Sequence, residues 1–206
     1  MRRAATRLRS GVARAAAAAL LVTVLAGCAL APRGELAFAT WRATQGQPLA
    51  EFERHLASEG VAQVLPLHQL LRSASSWREC GAEPFALPPR EQWPAVASVL
   101  RLLQALQAAG AVGRALEVHS GYRHPALNAC AQGAAGSAHL RSFALDFTPL
   151  DGSDPTARLC DFWRTQGRAW NMGLSRYPSG RIHIDTAGYR TWGADHTGQS
   201  SVCGRP

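Results

Sequence analysis

A chain of 206 residues, 47% of them hydrophobic, is long enough for one domain with a sizeable core. Its 22 basic and 14 acidic residues give a formal charge of +8 and a pI near 10.2, a balance that would suit a nucleic-acid partner. Five of the basic residues stand within the first 14 positions, where there is no acid, so the remainder carries 17 against 14 and no basic run. That excludes nucleic-acid binding as the reason for the charge. All the basic residues counted are arginine, which reads as compositional bias beside the abundant alanine.

Residues 1–27 pair a basic start (Arg2, Arg3, Arg7, Arg9, Arg14) with an apolar stretch from Ala15 to about Leu25. This is the pattern of a bacterial export signal and is short for a spanning helix. It ends in Leu25-Ala26-Gly27-Cys28, which resembles the lipobox of bacterial lipoproteins. The resemblance implies cleavage before Cys28, acylation of Cys28 and a firm membrane anchor. Ala29 rather than Asp after the cysteine implies the outer membrane, facing the periplasm. The alternative is a soluble exported protein cut nearby. Residues 28–40 are expected to be a tether and 41–206 the domain.

Periodicity sets Leu49, Phe52 and Leu56 on one face of a helix over 48–60, and a second short helix over 67–75. Residues 75–89, with three prolines and a glycine, read as loop. The strongest helix spans 90–110, with Val96, Val99, Leu102, Leu103 and Leu106 on one face and Gly110 as its stop. Residues 115–123 read as a strand running into a loop. In 142–150, Phe143, Leu145 and Phe147 alternate with Ala144 and Asp146, as a strand does. Asp154 and Pro155 open a helix to 167. Two further strands flank a turn at Pro178-Ser179-Gly180. Helices followed by strands with one helix between them predict an α+β domain: a small antiparallel sheet packed on N-terminal helices.

Four cysteines remain after Cys28. In an exported, oxidising compartment an even count suggests two disulfides. Three pairings are open, and Cys80–Cys130 with Cys160–Cys203 is the preferred one. The spacings contain no CxxC, which argues against a cysteine zinc site.

The candidate chemistry lies in GSAHLRSFALDF (136–147) and RIHIDT (181–186). His139 enters one strand, Asp146 lies on it opposite the apolar face, and His183 and Asp185 share the polar face of a later strand. Two imidazoles and one carboxylate with an open fourth position would suit a catalytic zinc. Spacing alone leaves this no more than plausible.

Ser137-Ala138-His139 followed by Ala144-Leu145-Asp146 resembles the SxHxxGxAxD signature of the zinc D-Ala-D-Ala peptidases. Ser120-Gly121-Tyr122-Arg123 is similar to that family's SGYR segment, with Asn128 where an Asn often follows. Residues 181–186, then Gly188-Tyr189-Arg190 and Trp192, resemble the branch ending in VHVDTG, and Tyr177-Pro178 and Phe85-Ala86-Leu87-Pro88-Pro89 fit it too. The resemblance covers roughly residues 76–193. It implies zinc held by His139, Asp146 and His183, with Arg123 stabilising an oxyanion and Ser137 supporting substrate or the loop beside the metal. It also implies peptidoglycan stem peptides as substrate, with terminal D-Ala removal and cross-link cleavage both open. The signature's Gly is Ser142 here. The Glu that many members carry three residues before the last histidine is Gly180, so Asp185 is expected as general base or as the group that orients a ligand. His119 and His124 are read as non-ligands, His55, His68 and His196 as surface or loop residues, and Trp163, Trp170 and Trp192 as core or cleft wall. The rival reading is a non-catalytic, zinc-containing lipoprotein that binds peptidoglycan or serves as a scaffold.

Overall fold

The computed structural model describes residues 33–204. The signal segment, Cys28 and the first residues of the expected tether lie outside the described residues. Among those described, no helix is long and apolar enough to cross a membrane.

Helix α1 (Arg33–Ala43) occupies part of the expected tether. Its residues are good helix formers, with Glu35 in the first turn and Arg42 in the last, each matched to the helix dipole. The residues from Trp41 onward form one compact unit. In it follow α2 (Gly46–Ser58), α3 (Leu67–Leu70), α4 (Trp93–Ala108), β1 (Leu116–Ser120), α5 (Pro125–Cys130), β2 (Ala144–Pro149), α6 (Thr156–Thr165), β3 (Gly173–Arg176), β4 (Ile182–Asp185) and β5 (Arg190–Trp192). The expected helices and strands are all present. The short elements α5 and β5 were not expected, because three to six residues carry too little periodicity to read.

Helix α4 organises the core. Pro94 sits in its first turn, and Val96, Val99, Leu102, Leu103 and Leu106 are buried along one face. The buried face of α2, with Leu49, Phe52 and Leu56, meets it, and the Phe52 ring lies edge-on to Trp93 at 5.4 Å. Helix α4 also packs on β2. Ser98 Oγ donates to Thr186 Oγ1 at 3.0 Å, pinning the end of β4 to the helix.

The sheet has the order β1-β2-β4-β3-β5, which makes the domain α+β. Three of its pairs are antiparallel, and β3 with β5 is parallel. The expectation of a purely antiparallel sheet fails at that pair. The chain reverses after β4, so β5 runs antiparallel to β4. It docks on the far side of β3, which is itself antiparallel to β4, and the edge pair is therefore parallel.

Both disulfides take the preferred pairing, with Cα–Cα distances of 5.8 Å for Cys80–Cys130 and 5.1 Å for Cys160–Cys203. The first ties the loop after α3 to the end of α5. The second ties the C-terminal segment to α6.

Candidate metal centre

Register builds the site. Residues directly opposite one another in neighbouring strands point to the same face. Ser120 pairs with Asp146, Asp146 with His183, His183 with Ser175, and Ser175 with Trp192. One row across five strands therefore carries the carboxylate and one imidazole, while Leu145, Phe147, Ile182 and Ile184 point to the core. A bulge in β1 at His119 sets this row, because the register shifts between Val118 and Ser120. Without it His119 would stand opposite Asp146. Instead His119 Nε2 meets Thr148 Oγ1 at 2.9 Å. His124 accepts from the Leu127 N–H and caps α5. Both histidines thus have other partners and stand outside the cluster, as the sequence reading has them.

The second imidazole arrives on a tight turn. Residues Ala138–Arg141 form a 3-10 turn, and Ser137 Oγ accepts from the His139 N–H at 3.3 Å. Ser142 ends the turn in the left-handed region at φ 60°. That conformation explains the glycine of the signature. Serine adopts it here while its hydroxyl donates to Gln92 Oε1 at 2.7 Å.

His139, Asp146 and His183 offer one ligand atom each, all within 4.8 Å of one another. They are 2%, 1% and 4% exposed. His139 Nδ1 lies 2.7 Å from the Gly121 carbonyl oxygen, which fixes the proton on that nitrogen. Its Nε2 is then a lone pair, buried without a hydrogen-bond partner, 3.2 Å from Asp146 Oδ1. His183 Nδ1 lies 2.8 Å from the same oxygen. The residues therefore fit a metal: an orphaned buried lone pair, a carboxylate and a second imidazole converge on one point.

The electrostatics agree with close packing of charge. Burial pushes the His139 pKa down, against the pull of Asp146. Burial opposes ionisation of Asp146, but His139 and His183 hold its carboxyl well below the usual range. Burial also opposes the charged form of His183, yet its hydrogen bonds to Asp146 and Asp185 prevail and raise it to about 9.

Asp185 does not reach the cleft. It is 0% exposed, and Oδ2 lies 2.8 Å from His183 Nε2. Arg190 grips both of its oxygens at 2.9 and 2.7 Å, and the Ala187 N–H donates to Oδ1 at 2.8 Å. Gly173 sits opposite Asp185 in the sheet, and a Cβ there would fall inside this carboxylate. Its oxygens thus accept from His183, Arg190 and the Ala187 N–H, and Asp185 is not among the residues that line the cleft, an arrangement that suits the orienting role of the two expected for it.

Arg123 donates from Nη2 to Asp146 Oδ2 at 2.6 Å and from Nε to Ser120 Oγ at 2.7 Å. Ser120 Oγ donates in turn to the Ser73 carbonyl oxygen at 2.7 Å. The guanidinium is thereby fixed at the floor of a cleft of about 630 Å³, which Ser137, His139, Asp146 and His183 also line. One wall is the loop over 131–137, which Asn128 braces through Nδ2 to the Ala134 carbonyl oxygen at 3.1 Å. The other wall includes Tyr177, Arg181, Arg190 and Trp192. Burial, followed by the Asp146 charge, raises the Tyr177 phenol to about 12, so it is a neutral donor. Trp192 meets the His183 ring at 5.1 Å as cleft wall, and Trp163 is core, stacked on Tyr189 at 4.7 Å.

The sequence reading assigns no role to Arg181, which lines the cleft; His196 is an exposed loop residue, as expected, and borders the same cleft. A signal was present for Arg181, which stands two residues before His183 at the entry to β4, the spacing that puts side chains on one face of an extended chain. None was present for Gly173, since only tertiary pairing sets it under Asp185.

Residues 65–185 match the family described as Peptidase M15, a span that contains His139, Asp146 and His183. No curated protein and no solved structure matches the chain. With the matched span taking up more than half of the sequence, the chain belongs to the Peptidase M15 family.

Proposed function

We propose that this protein is an exported, lipid-anchored, zinc-dependent peptidase that acts on the stem peptides of peptidoglycan. The observation that carries the metal dependence is the buried Nε2 of His139, which has no hydrogen-bond partner and faces Asp146 and His183. His139 through Nε2, Asp146 through a carboxylate oxygen and His183 through Nδ1 would hold the ion. Zinc bound there supplies Lewis-acid polarisation and a nucleophile at neutral pH.

The chain supplies the rest. Asp185 would hold the proton of His183 on Nε2, so that Nδ1, which now meets Asp146 Oδ1, could turn its lone pair to a metal. Ser137 fixes the turn that presents His139. Arg123 stands beside Asp146 with Nη1 unclaimed among the described residues, placed to donate to a peptide carbonyl oxygen as negative charge develops on it. Family membership and the motif resemblance support the substrate class, a peptide bond next to a D-amino acid. Cys28 acylation and a periplasmic, outer-membrane location belong to the same proposal, and a Cys28→Ser variant is expected to leave the membrane fraction.

The test is a digest of peptidoglycan with the zinc-loaded protein, read by mass spectrometry beside His183→Ala. Loss of one alanine mass identifies a carboxypeptidase, and conversion of cross-linked dimers to monomers an endopeptidase. A second reading, a zinc-containing module that binds peptidoglycan without cleaving it, draws on one observation. Among the described residues lining the cleft, Asp146 is the only carboxylate, and Gly180 stands in a turn where a glutamate would have been. Co-sedimentation of zinc-loaded protein with peptidoglycan and an unchanged mass profile would favour that reading.

A further inference from the structure

Three arginines line the cleft, and they differ in what holds them. Arg123 is held by Asp146 and Ser120, and Arg190 by Asp185 and the Gly188 carbonyl. The guanidinium of Arg181 makes no hydrogen bond or ion pair with any described residue, although the residue is half-buried in the cleft wall. Its backbone, by contrast, is fixed. The Tyr177 N–H donates to its carbonyl oxygen at 2.8 Å across the hairpin turn, which Gly180 closes at φ 84°. A preset root and a free cationic fork make a binding group for a carboxylate.

Position adds the register. Arg181 immediately precedes β4, two residues from His183, and lines the same cleft, about 7 Å away at the rise of an extended chain. A peptide's last residue carries its carboxylate at most about 3.6 Å beyond the preceding carbonyl carbon. A bond held over the His139–Asp146–His183 cluster thus leaves a terminal carboxylate within reach of the arginine side chain. Charge favours it as well. Apart from Asp146, which already faces Arg123 and two imidazoles, no acidic side chain among the described residues lines the cleft.

We propose that Arg181 captures the free α-carboxylate of a peptide substrate, which makes this cleft an exopeptidase site that removes the C-terminal residue. The proposal rests on the peptidase reading above and decides between its two cleavage modes. Endo-cleavage would place a peptide bond, with no charge, against this cation.

The experiment uses the full chain loaded with zinc and three versions of a stem pentapeptide ending in D-Ala-D-Ala. One has a free terminus, one a terminal amide, and one a free terminus with its glutamyl carboxyl amidated. Wild type is expected to prefer the free acid over the terminal amide by about 10- to 100-fold in kcat/KM. The glutamyl amide should match the parent. Arg181→Gln should reduce the preference to a few-fold, and Arg181→Lys should keep part of it. Equal cleavage of acid and amide overturns the proposal, as does a preference that survives in Arg181→Gln or one that follows the glutamyl carboxyl. If none of the three is cut, the peptidase reading falls on its own. Calorimetric binding of the same peptides then reads the subsite: tighter binding of the free acid, lost in Arg181→Gln, supports it, and equal binding overturns it.

Discussion

Asp185 can sit behind His183 because residue 173 has no side chain. The carboxylate occupies the space that a Cβ at Gly173 would fill, and from there it holds His183 Nε2 while Arg190 and the Ala187 N–H hold it. Gly173→Ala is therefore expected to push Asp185 off His183 and to weaken zinc binding by about 10- to 100-fold, the range seen when a ligand loses its outer partner. Competition with a chromophoric chelator measures this directly, and unchanged affinity would remove Asp185 from the metal centre. Asp185→Asn tests the same contact without adding volume. It should weaken zinc binding in the same direction, with catalysis restored at saturating zinc if the residue only orients. A kcat that stays abolished in fully loaded Asp185→Asn would return it to the role of base.

Among the elements, strands β2 and β4 carry Asp146 and His183, a short turn carries His139, and the disulfides tie down the segments around them. Cys80–Cys130 joins the segment that follows Ser75 and Ser76 to the start of the loop over 131–137, and both segments contribute residues to the cleft lining. Cys160–Cys203 joins α6 to the C-terminal segment, away from the ligands. Their separations of 50 and 43 residues are similar, so the chain-entropy account gives each about 4 kcal/mol at most. Removing either pair by Cys→Ser is thus expected to lower Tm by a comparable amount in a thermal melt. Only the Cys80/Cys130 variant should also raise KM for peptide, because only that bridge joins two segments that line the cleft. A similar KM change in the Cys160/Cys203 variant would show that the effect is general loosening. In the core, Leu103 on α4 is 0% exposed, and Leu103→Ala is expected to cost about 2–5 kcal/mol in a denaturant titration.

Over the whole molecule, the His139–Asp146–His183 cluster is expected to tie stability to pH, with opposite slopes without and with a bound metal. Without metal, His183 is raised to about 9 by Asp146 and Asp185 in spite of burial. A raised histidine contributes stability that is complete below its unfolded pKa of about 6.5 and is lost as pH climbs through 9. The metal-free protein should therefore lose on the order of 3 kcal/mol between pH 6.5 and pH 9. Asp146, held well below its usual value, contributes stability above about pH 4 that is lost only in strong acid. With zinc bound the imidazoles are neutral ligands and protons compete with the metal, so the loaded protein should lose stability as pH falls through 6. Denaturant titrations at pH 5, 7 and 9, with zinc and with a chelator, check both slopes. Parallel slopes would mean that the cluster takes up no metal.

Much of this was legible in the chain itself. Alternation in 142–150 and in RIHIDT separates Asp146 and His183 from Leu145, Phe147, Ile182 and Ile184, because side chains on a strand alternate whatever the partner. Helix α4 declares itself over four turns, and the motifs with their order carry the family. Pairing, by contrast, is a long-range event that the local pattern does not encode. Only the tertiary structure made β3 and β5 parallel, set the bulge that puts Ser120 rather than His119 opposite Asp146, and laid Asp185 over Gly173. It also separated Arg123 and Arg190, each bound to a buried carboxylate, from Arg181, which is free to meet a ligand. In sequence all three are arginines near a motif. Which of them has an unspent charge depends on the groups that distant strands bring within hydrogen-bonding reach.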